Sequence, residues 1–392
     1  MNVLELYFWI ALLIVFYTYL GYGIIIFSLV KIKELLLKKA NTEDRDDLPE
    51  VTLLIAAYNE EDIIDKKMEN CLQIKYPEDK LKILWVTDGS TDNTNAKLSQ
   101  YNRVKVYFSP ERKGKSAAIN RVVPLIESPL IIFTDANTMI NDLAVYLIVD
   151  AFRDSKVGCV AGEKRISMSD KESLSAGGEG IYWKYESFLK NMDSRLYSAV
   201  GAAGELFAIR SSLYEGIRPN ILLDDFVLSM RIAAKGYVIR YCKNAYAVEQ
   251  GSLNINEERK RKVRISAGGI QSVLILSKVL NPIKYPTLFF QYISHRVLRW
   301  TITPVALFSL LPVNLAIVII NPHTIYVSML VLQVLFYSLA LLGKKTEGKE
   351  TSMKILFVPY YFLFMNYNIF PGMVYLIRKK RGDGTWEKSR RK

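Results

Sequence analysis

The hydrophobic positions of the chain form long apolar stretches near both ends and short β-rich runs between them. Residues 6–30 are almost continuously apolar, which is long enough for a helix to cross a bilayer core of roughly 30 Å. Four lysines follow this stretch: Lys31, Lys33, Lys38 and Lys39. Because basic residues favour the cytoplasmic side of a membrane, the pattern predicts a cytoplasmic domain from about residue 41 onward. A cleaved signal peptide fits poorly, because no basic residue precedes the apolar stretch.

The C-terminal part of the chain contains further apolar stretches. Residues 301–320 and 324–342 predict a transmembrane hairpin, and residues 285–300 predict an amphipathic helix in the membrane interface. If residues 353–377 crossed the membrane once, the basic tail would lie outside, against the usual distribution of charge. Prolines and asparagines interrupt this stretch, so we expect a re-entrant pair of short helices that returns to the cytoplasm.

Between the apolar ends, residues 41–281 alternate short β-rich runs with helical patterns, which predicts an α/β domain. Strands are expected at 51–57, 81–87, 104–108 and 130–134. Ligands of open α/β sheets bind at the carboxyl ends of the strands, so the chemistry is expected there. The chain therefore divides into a membrane helix with a basic linker (1–40), this α/β domain, and a membrane-associated region (282–392).

Composition and charge narrow the possible chemistry. The chain has 392 residues, a formal net charge of +13, three cysteines without a CxxC pair and two histidines. These counts argue against a zinc site and a histidine-based triad, so catalysis must use carboxylates, lysines and arginines. Much of the basic excess follows the first and last apolar stretches, which favours membrane lipids over nucleic acid as partners.

Polar motifs follow the predicted strands. AAYNEE, which contains Ala57, Tyr58 and Glu60, follows the first strand, and DGSTDNT, which begins at Asp88, follows the second. Acidic side chains at adjacent strand ends suit hydrogen bonds to a base and ribose. Each motif by itself is equally an ordinary polar turn that caps backbone groups.

Two further motifs suit phosphate and metal. Lys113, Gly114 and Lys115 precede a helical pattern, where ammonium groups and the positive helix end would act on one anion, although a solvated basic turn fits as well. The fourth strand delivers Asp135 and Asn137, two residues apart, as oxygen ligands for a hard divalent cation that bridges a diphosphate. The alternative is a capped turn.

The sequence DDFVLSMR predicts a helix that ends before Gly236. Asp224 is expected to cap it, and Asp225 is expected to be kept ionised by the helix dipole and to act as a general base. Two aspartates at a helix start are also common as caps alone. A glycine-containing loop over 201–205 would let backbone approach a ligand, or would be a packed turn. The basic run at 259–264, which ends in Arg264, suits lipid phosphate or a departing diphosphate.

The ordered set AAYNEE, DGSTDNT, RKGKSAAIN, TDANT, GAAGELFAIR, DDFVLSMR and RKVRI resembles the family 2 glycosyltransferases, whose fold is the Rossmann-like GT-A fold. The flanking apolar segments are similar to those of the membrane branch that includes cellulose, hyaluronan and poly-N-acetylglucosamine synthases. The resemblance implies an inverting transfer from a nucleotide-diphosphate sugar, usually a uridine donor, with Mg²⁺ or Mn²⁺. It also implies a multi-pass protein of a bacterial-type plasma membrane.

The resemblance assigns roles to individual residues. It implies nucleoside contacts for Ala57, Tyr58, Glu60 and Asp88, and a place near the donor phosphates for Lys115. It implies metal binding by Asp135, with Asn137 in place of a second aspartate. It makes Asp225 the catalytic base, beside Asp224 and together with Arg264.

One departure from the family pattern concerns the acceptor. Ile265 stands where the processive synthases have a tryptophan that stacks under the acceptor sugar. We therefore expect transfer of one or very few sugars to a lipid-linked or membrane-proximal glycan acceptor. A processive polysaccharide synthase and a catalytically silent partner subunit are the alternatives.

Overall fold

The computed structural model describes residues 2–36, 47–167, 174–251, 255–345 and 354–378, and it leaves the side chains of 174–181 and 354–355 undescribed. Fifteen α-helices occur within these ranges: α1 Val3–Phe16, α2 Tyr22–Leu36, α3 Ile64–Leu72, α4 Thr94–Leu98, α5 Lys115–Val122, α6 Ala144–Ala151, α7 Leu174–Leu196, α8 Asp224–Ala234, α9 Ile255–Ile275, α10 Pro286–Tyr292, α11 Leu298–Trp300, α12 Ile302–Ile320, α13 Thr324–Lys345, α14 Lys354–Tyr367 and α15 Ile369–Arg378. Short π-helical segments join α1 to α2 and α10 to α11.

One mixed sheet carries the α/β domain. Its eight strands are β1 Val51–Ala57, β2 Leu81–Asp88, β3 Val104–Ser109, β4 Leu130–Asp135, β5 Thr138–Ile140, β6 Val157–Ser167, β7 Leu206–Arg210 and β8 Val238–Gln250. The spatial order is β3-β2-β1-β4-β7-β6-β8-β5. The first four strands are parallel, whereas β7 pairs antiparallel with both β4 and β6.

The four strands expected from sequence are confirmed, each to within one residue at its end. The reason is visible in β1, where Leu53 and Ile55 enter the core on one face of the sheet and Leu54 enters the core on the other. A strand buried on both faces reads as a continuous apolar run. The register places Ala57 beside Thr87 and Ala56 beside Asp135, so three motif-bearing strand ends meet at one edge.

Three helices of the described ranges are long and apolar enough to cross a membrane: Val3–Leu36, Ile302–Ile320 and Thr324–Lys345. They coincide with the three membrane spans expected from sequence. The stretch expected to break into two short helices does so, as α14 and α15, and the break falls at Asn368 rather than at a proline. Lys38, Lys39 and the basic tail beyond residue 378 lie outside the described residues.

The helical segment from α10 to α11 was expected to be an interface helix, and its basic side chains point into the protein. His295 is fully buried, and its Nδ1 lies 2.5 Å from Asp193 Oδ2 of α7. Arg296 and Arg299 both form ion pairs with the buried Glu186 of the same helix. The acidic residues of α7 therefore pair with these side chains inside the protein, and one carboxylate, that of Glu186, serves both arginines.

Candidate active site

The loops after β1 and β2 are bound to each other. Asn59 has a positive φ of 51°, and its side chain accepts a hydrogen bond from Thr91 N at 2.9 Å. Its own N–H donates to Ser90 Oγ, and Glu60 N donates to Thr94 Oγ1 at 2.9 Å. Asparagine tolerates the left-handed conformation better than most residues, so Asn59 can turn the chain here. AAYNEE and DGSTDNT therefore form one unit.

Asp88 ends β2 and organises the loop before α5. Its Oδ2 accepts hydrogen bonds from Lys113 N at 2.9 Å and Gly114 N at 2.6 Å. Its Oδ1 is buried, with Arg121 Nη1 4.0 Å away, and accepts no hydrogen bond from the residues that the structure describes. A buried carboxylate oxygen with unused acceptor capacity suits an N–H group of a ligand.

Tyr58 and Ala57 offer different groups to a ligand. The guanidinium of Arg112 lies over the Tyr58 ring, 3.8 Å from its centroid, and Tyr58 is half-buried. This stack presents a flat surface beside Asp88, as a planar base requires. Ala57 is 5% exposed and its methyl group belongs to the core, so only its backbone can face a ligand.

Lys115 links the phosphate motif to the metal motif. Its Nζ donates to Asp135 Oδ1 at 2.5 Å, and both side chains remain partly exposed. Partial burial lowers the pKa of the Lys115 ammonium, but Asp135 and Asp224 outweigh that effect and hold the pKa above its ordinary value. Lys115 therefore stays protonated, at the solvent-exposed edge of the site.

The first turns of α5 and α8 face each other. Ser116 Oγ donates to Asp224 Oδ2 at 3.3 Å, and Asp225 Oδ1 accepts from Phe226 N at 2.8 Å. The expectation that Asp224 caps the helix is wrong: α8 begins at Asp224, and Leu223 occupies the cap position without a side-chain hydrogen bond. Both carboxylates are thus available to the site, and they line one pocket with Lys115 and Ser116. The expected helix end is confirmed, since Gly236 has a φ of 97° just after α8.

The surroundings of Asp225 act against the ionised form expected from its place at a helix start. Its burial and the neighbouring Asp224 carboxylate raise its pKa to about 7, although Lys115 lowers it in part. The helix dipole favours the ionised form, but its effect is smaller than desolvation together with a like charge. The surroundings of Asp225 therefore favour its protonated form more than those of an ordinary surface aspartate.

Gly204 brings backbone to within contact distance of both charged groups. A Cβ at this position would lie 3.2 Å from Asp225 Oδ2 and 3.5 Å from Lys115 Nζ. The neighbouring Gly201 has a φ of 83°, and a Cβ there would overlap the Phe226 ring at 2.1 Å. The loop is therefore both packed at Gly201 and open to the site at Gly204.

Gly204→Ala is expected to lower kcat/KM by roughly 10- to 100-fold, because a methyl group 3.2 Å from Asp225 Oδ2 would push that carboxylate from its position and fill the space between it and Lys115. The matched control is Gly216→Ala, where a Cβ would make only an ordinary contact 3.5 Å from Asn120 Oδ1. The measurement is steady-state kinetics of both purified variants, with melting temperatures to show that each is folded. Equal kinetics for the two variants would contradict this placement of Gly204.

Asn137 lies at the turn between β4 and β5, half-buried like Asp135. The described part of the chain contains no group of three His, Cys, Asp or Glu residues that would hold an ion by itself. Asp135 and Asn137 therefore suit an ion that takes its remaining ligands from a bound molecule, such as diphosphate oxygens.

Arg264 lies on α9, one turn before the point where that helix packs against the start of α8. At that point a Cβ on Gly268 would lie 2.6 Å from Leu223 Cγ, so only glycine permits the contact. Arg264 is half-buried, like Ile265 beside it. The close helix contact fixes the basic run of α9 relative to the start of α8, where the aspartate pair lies.

Sequence reasoning missed Lys67, which lies fully buried on α3 beneath the turn between β4 and β5. Its Nζ donates to Thr138 O at 2.5 Å and to Thr134 Oγ1 at 3.3 Å, and burial lowers its pKa to about 8. The available signal was its position on the apolar face of α3, three residues after Ile64. Lys67 holds the turn that carries Asp135 and Asn137.

A sheet whose parallel strand ends carry these groups, followed by the antiparallel β7, is the GT-A fold of glycosyltransferases. The solved structure of the mannosyltransferase PcManGT from Pyrobaculum calidifontis, in complex with GDP-Man and Mn²⁺, superposes with a TM-score of 0.70 at 20% identity, over 95% of this chain and 99% of that chain. Residues 52–218 match the model of glycosyl transferase family 2. This match covers the motifs that carried the resemblance, from AAYNEE to GAAGELFAIR.

Two curated relatives match a little more than half of the chain. A probable glycosyltransferase, YdaM of Bacillus subtilis, is 29% identical over 53% of this chain and 52% of its own length. Poly-beta-1,6-N-acetyl-D-glucosamine synthase of Staphylococcus aureus is 27% identical over 58% of this chain and 57% of its own. The chain spans little more than half the length of these relatives.

Proposed function

We propose that the protein is an inverting membrane glycosyltransferase that moves a sugar from a nucleotide-diphosphate donor, UDP in the first instance, to a lipid-linked or membrane-proximal glycan acceptor. The observation that supports this most directly is the meeting of α5 and α8, which places Lys115 and Asp225 around the backbone of Gly204. A cation for a leaving diphosphate and a base for an attacking hydroxyl then lie on either side of one small space.

The donor base would lie on the Tyr58–Arg112 stack, where Asp88 Oδ1 accepts an N–H of the base. Glu60, in the turn bonded to Thr94, would face the ribose. A uracil imide and a guanine both carry such an N–H group. The Pyrobaculum mannosyltransferase was solved with GDP-Man, so guanosine-diphosphate sugars should be tested as donors beside uridine-diphosphate sugars.

Asp135 and Asn137 would hold Mg²⁺ or Mn²⁺ jointly with the donor diphosphate. A bound divalent cation supplies positive charge that stabilises the diphosphate as it leaves. The carboxylate and amide oxygens fit a hard cation, and Lys67 fixes the turn that carries them. Asp135 must then share its carboxylate between the ion and Lys115.

The reaction is a single displacement. The acceptor hydroxyl oxygen bonds to the anomeric carbon while the bond from that carbon to the diphosphate oxygen breaks, and attack from the opposite face inverts the carbon. The hydroxyl proton passes to the Asp225 carboxylate, and the nucleoside diphosphate leaves with the electron pair. Lys115, with Arg264 on the membrane side, stabilises the charge of the leaving group, and Asp224 acts by raising the proton affinity of Asp225.

The membrane helices support a location at a bacterial-type plasma membrane, with residues 41–281 as the cytoplasmic catalytic domain. The helices α1, α2, α12 and α13 supply the candidate spans, and α15 packs on α9 of the domain. At this surface the acceptor is a membrane component, and membrane lipids rather than nucleic acid are the partners.

A donor screen in nanodiscs tests the proposal. Full-length protein is supplied with UDP- and GDP-sugars, with and without Mn²⁺, and release of nucleoside diphosphate and sugar transfer into lipid are measured. We expect one donor class to react, with metal required and products of one or very few sugars. Absence of transfer from every donor in wild type would leave the silent-subunit alternative.

Product length separates this proposal from a processive synthase, which the similarity to the Staphylococcus synthase favours. Long polymer formed by the purified protein would overturn our proposal in favour of synthesis. Ile265 is half-buried and has no aromatic ring on which an acceptor sugar could stack. This supports short products.

The pH dependence follows from the raised pKa of Asp225. The base acts when deprotonated, so kcat/KM should fall about tenfold per pH unit below about pH 7 and level off above it. Asp224→Asn removes the like charge, lowers the pKa of Asp225 and should move this acid limb to lower pH. The measurement is kcat/KM against pH for both proteins, and an unmoved limb would show that the titrating group is not Asp225.

A further inference from the structure

An apolar cavity of about 340 Å³ lies between the first membrane helix and the membrane side of the catalytic domain. Its walls come from α1, α9, α12 and α15, and include Ile14, Ile270, Val305 and Met373. The volume is within the range of roughly 300–1,000 Å³ that small-molecule sites occupy. The helix α11 adds Trp300 to the wall. Two of the five wall helices, α1 and α12, belong to candidate membrane spans, so a bilayer around these spans would bring hydrocarbon chains to the cavity.

Two hydroxyl groups of the lining already have hydrogen-bond partners. The Tyr7 hydroxyl bonds Ser309 Oγ at 2.7 Å, and Thr301 Oγ1 donates to Val297 O at 2.6 Å. The cavity therefore offers a ligand mainly apolar contacts, and at bilayer depth the available ligand is a lipid chain. A hydrocarbon chain gains little binding free energy when it moves from the surrounding lipid to an apolar protein wall, because both environments are apolar. Selectivity for one lipid must therefore come from its headgroup.

The inner wall of the cavity touches the catalytic helix. Trp300 lines the cavity and packs edge-on against Phe226, with ring centroids 5.1 Å apart. Gly269 makes room for the indole, because a Cβ there would lie 2.5 Å from it. Phe226 follows Asp225, so one indole separates the cavity from the start of α8.

Positive charge with unused hydrogen-bonding capacity lies one turn from that indole. Arg296 and Arg299 share the single carboxylate of Glu186, and the Arg296 guanidinium is 5.6 Å from the centre of the Trp300 ring. Arg296 Nε and Arg299 Nε and Nη2 are buried and donate no hydrogen bond to the residues that the structure describes. Buried guanidinium N–H groups favour an anionic partner such as a phosphate.

We propose that this cavity holds the hydrocarbon chain of the acceptor, and that the acceptor is an anionic lipid whose headgroup is drawn to Arg296 and Arg299. The inference rests on the proposed function and deepens it, because it names the class of the acceptor. The chain would anchor the lipid beside α9 and Trp300 while its headgroup reaches the aspartate pair.

The test pairs two variants of α12. Val305 lines the cavity and Leu315 does not, yet each is 47% exposed, so Val305→Trp fills the cavity and Leu315→Trp is the matched control. The probe is a phosphatidic acid with a diazirine on its acyl chain, in phosphatidylcholine nanodiscs that contain the full-length protein. Photolabelling of peptides that contain Ile270 and Met373 is read by mass spectrometry.

We expect Val305→Trp to reduce labelling of these peptides roughly tenfold, as overfilling of a site does, and Leu315→Trp to leave it unchanged. Unlabelled phosphatidic acid should compete, and neutral diacylglycerol should not. Equal labelling of the two variants, or equal competition by the two lipids, would overturn the site or its preference for an anionic headgroup.

The acceptor role needs a second readout. In nanodiscs of bacterial lipid extract, Val305→Trp should lower transfer of radiolabelled sugar into the organic phase. Hydrolysis of the donor, in which water replaces the lipid hydroxyl as acceptor of the sugar, should stay at the wild-type rate, measured as free sugar and nucleoside diphosphate. Reduced labelling with unchanged transfer would show a structural lipid and overturn the acceptor role. Absence of nucleotide release even from wild type would instead overturn the proposed function, and the photolabelling would still decide whether a lipid binds.

Discussion

Asp225→Asn is expected to reduce kcat for sugar transfer by about 10²- to 10⁴-fold, the range that a general base contributes. The amide keeps an oxygen in the position that accepts the hydrogen bond from Phe226 N, so α8 should start as before. It cannot take a proton from the acceptor hydroxyl. The KM for the donor should therefore change little, and the melting temperature should match that of wild type.

Asp224→Asn is the control for charge at the start of α8. At pH 8 Asp225 is deprotonated in either background, so this variant should retain a rate close to that of wild type. Steady-state transfer assays at pH 8 compare the two variants directly. Equal rates for wild type and Asp225→Asn would remove Asp225 from the role of base, and a larger loss in Asp224→Asn would assign that role to its neighbour.

Lys115→Met is expected to lower kcat by about 10²- to 10³-fold, the effect of removing one preorganised group that stabilises developing negative charge. Lys115 is the cation held between Asp135 and the aspartate pair, and no other lysine of its loop makes that contact among the described residues. Methionine preserves much of the chain volume without the charge. Donor binding should weaken less than turnover, because the charge on the diphosphate grows as the sugar departs.

Lys113→Met supplies the matched control two residues earlier. Lys113 is exposed and pairs with Glu111 at 2.7 Å, while its backbone N–H bonds Asp88 in either variant. Single-turnover and steady-state rates of both variants are measured with a saturating donor. If the two substitutions caused equal losses, the effect would come from the general basic charge of the loop and not from the position of Lys115.

The sequence was informative where chemistry and burial follow local patterns. The runs that became β1, β2, β3 and β4 were recognisable because each is apolar and ends in a polar turn, and parallel strands bring such ends together. The membrane helices were equally clear, since no other segment needs so many consecutive apolar residues. The break at Asn368 was expected from its polar cluster.

The sequence was misleading where the environment of a side chain depends on distant residues. The region from Tyr285 to Trp300 has the composition of an interface helix, and its Arg296 and Arg299 pair with Glu186, about 110 residues earlier in the chain. Asp225 looked ionised from its place in a helix. Its pKa depends instead on Asp224 beside it and on burial against the rest of the site.

By itself, the order of residues determined which groups were available for chemistry: acidic and basic side chains at strand and helix ends, in an order that resembles one family. Tertiary structure alone decided how these groups act. It joined Lys115 to Asp135 at 2.5 Å, placed Gly204 against Asp225, and left an apolar cavity one indole away from α8. Proton affinity and packing depend on distances between residues remote in the chain, and no local pattern contains those distances.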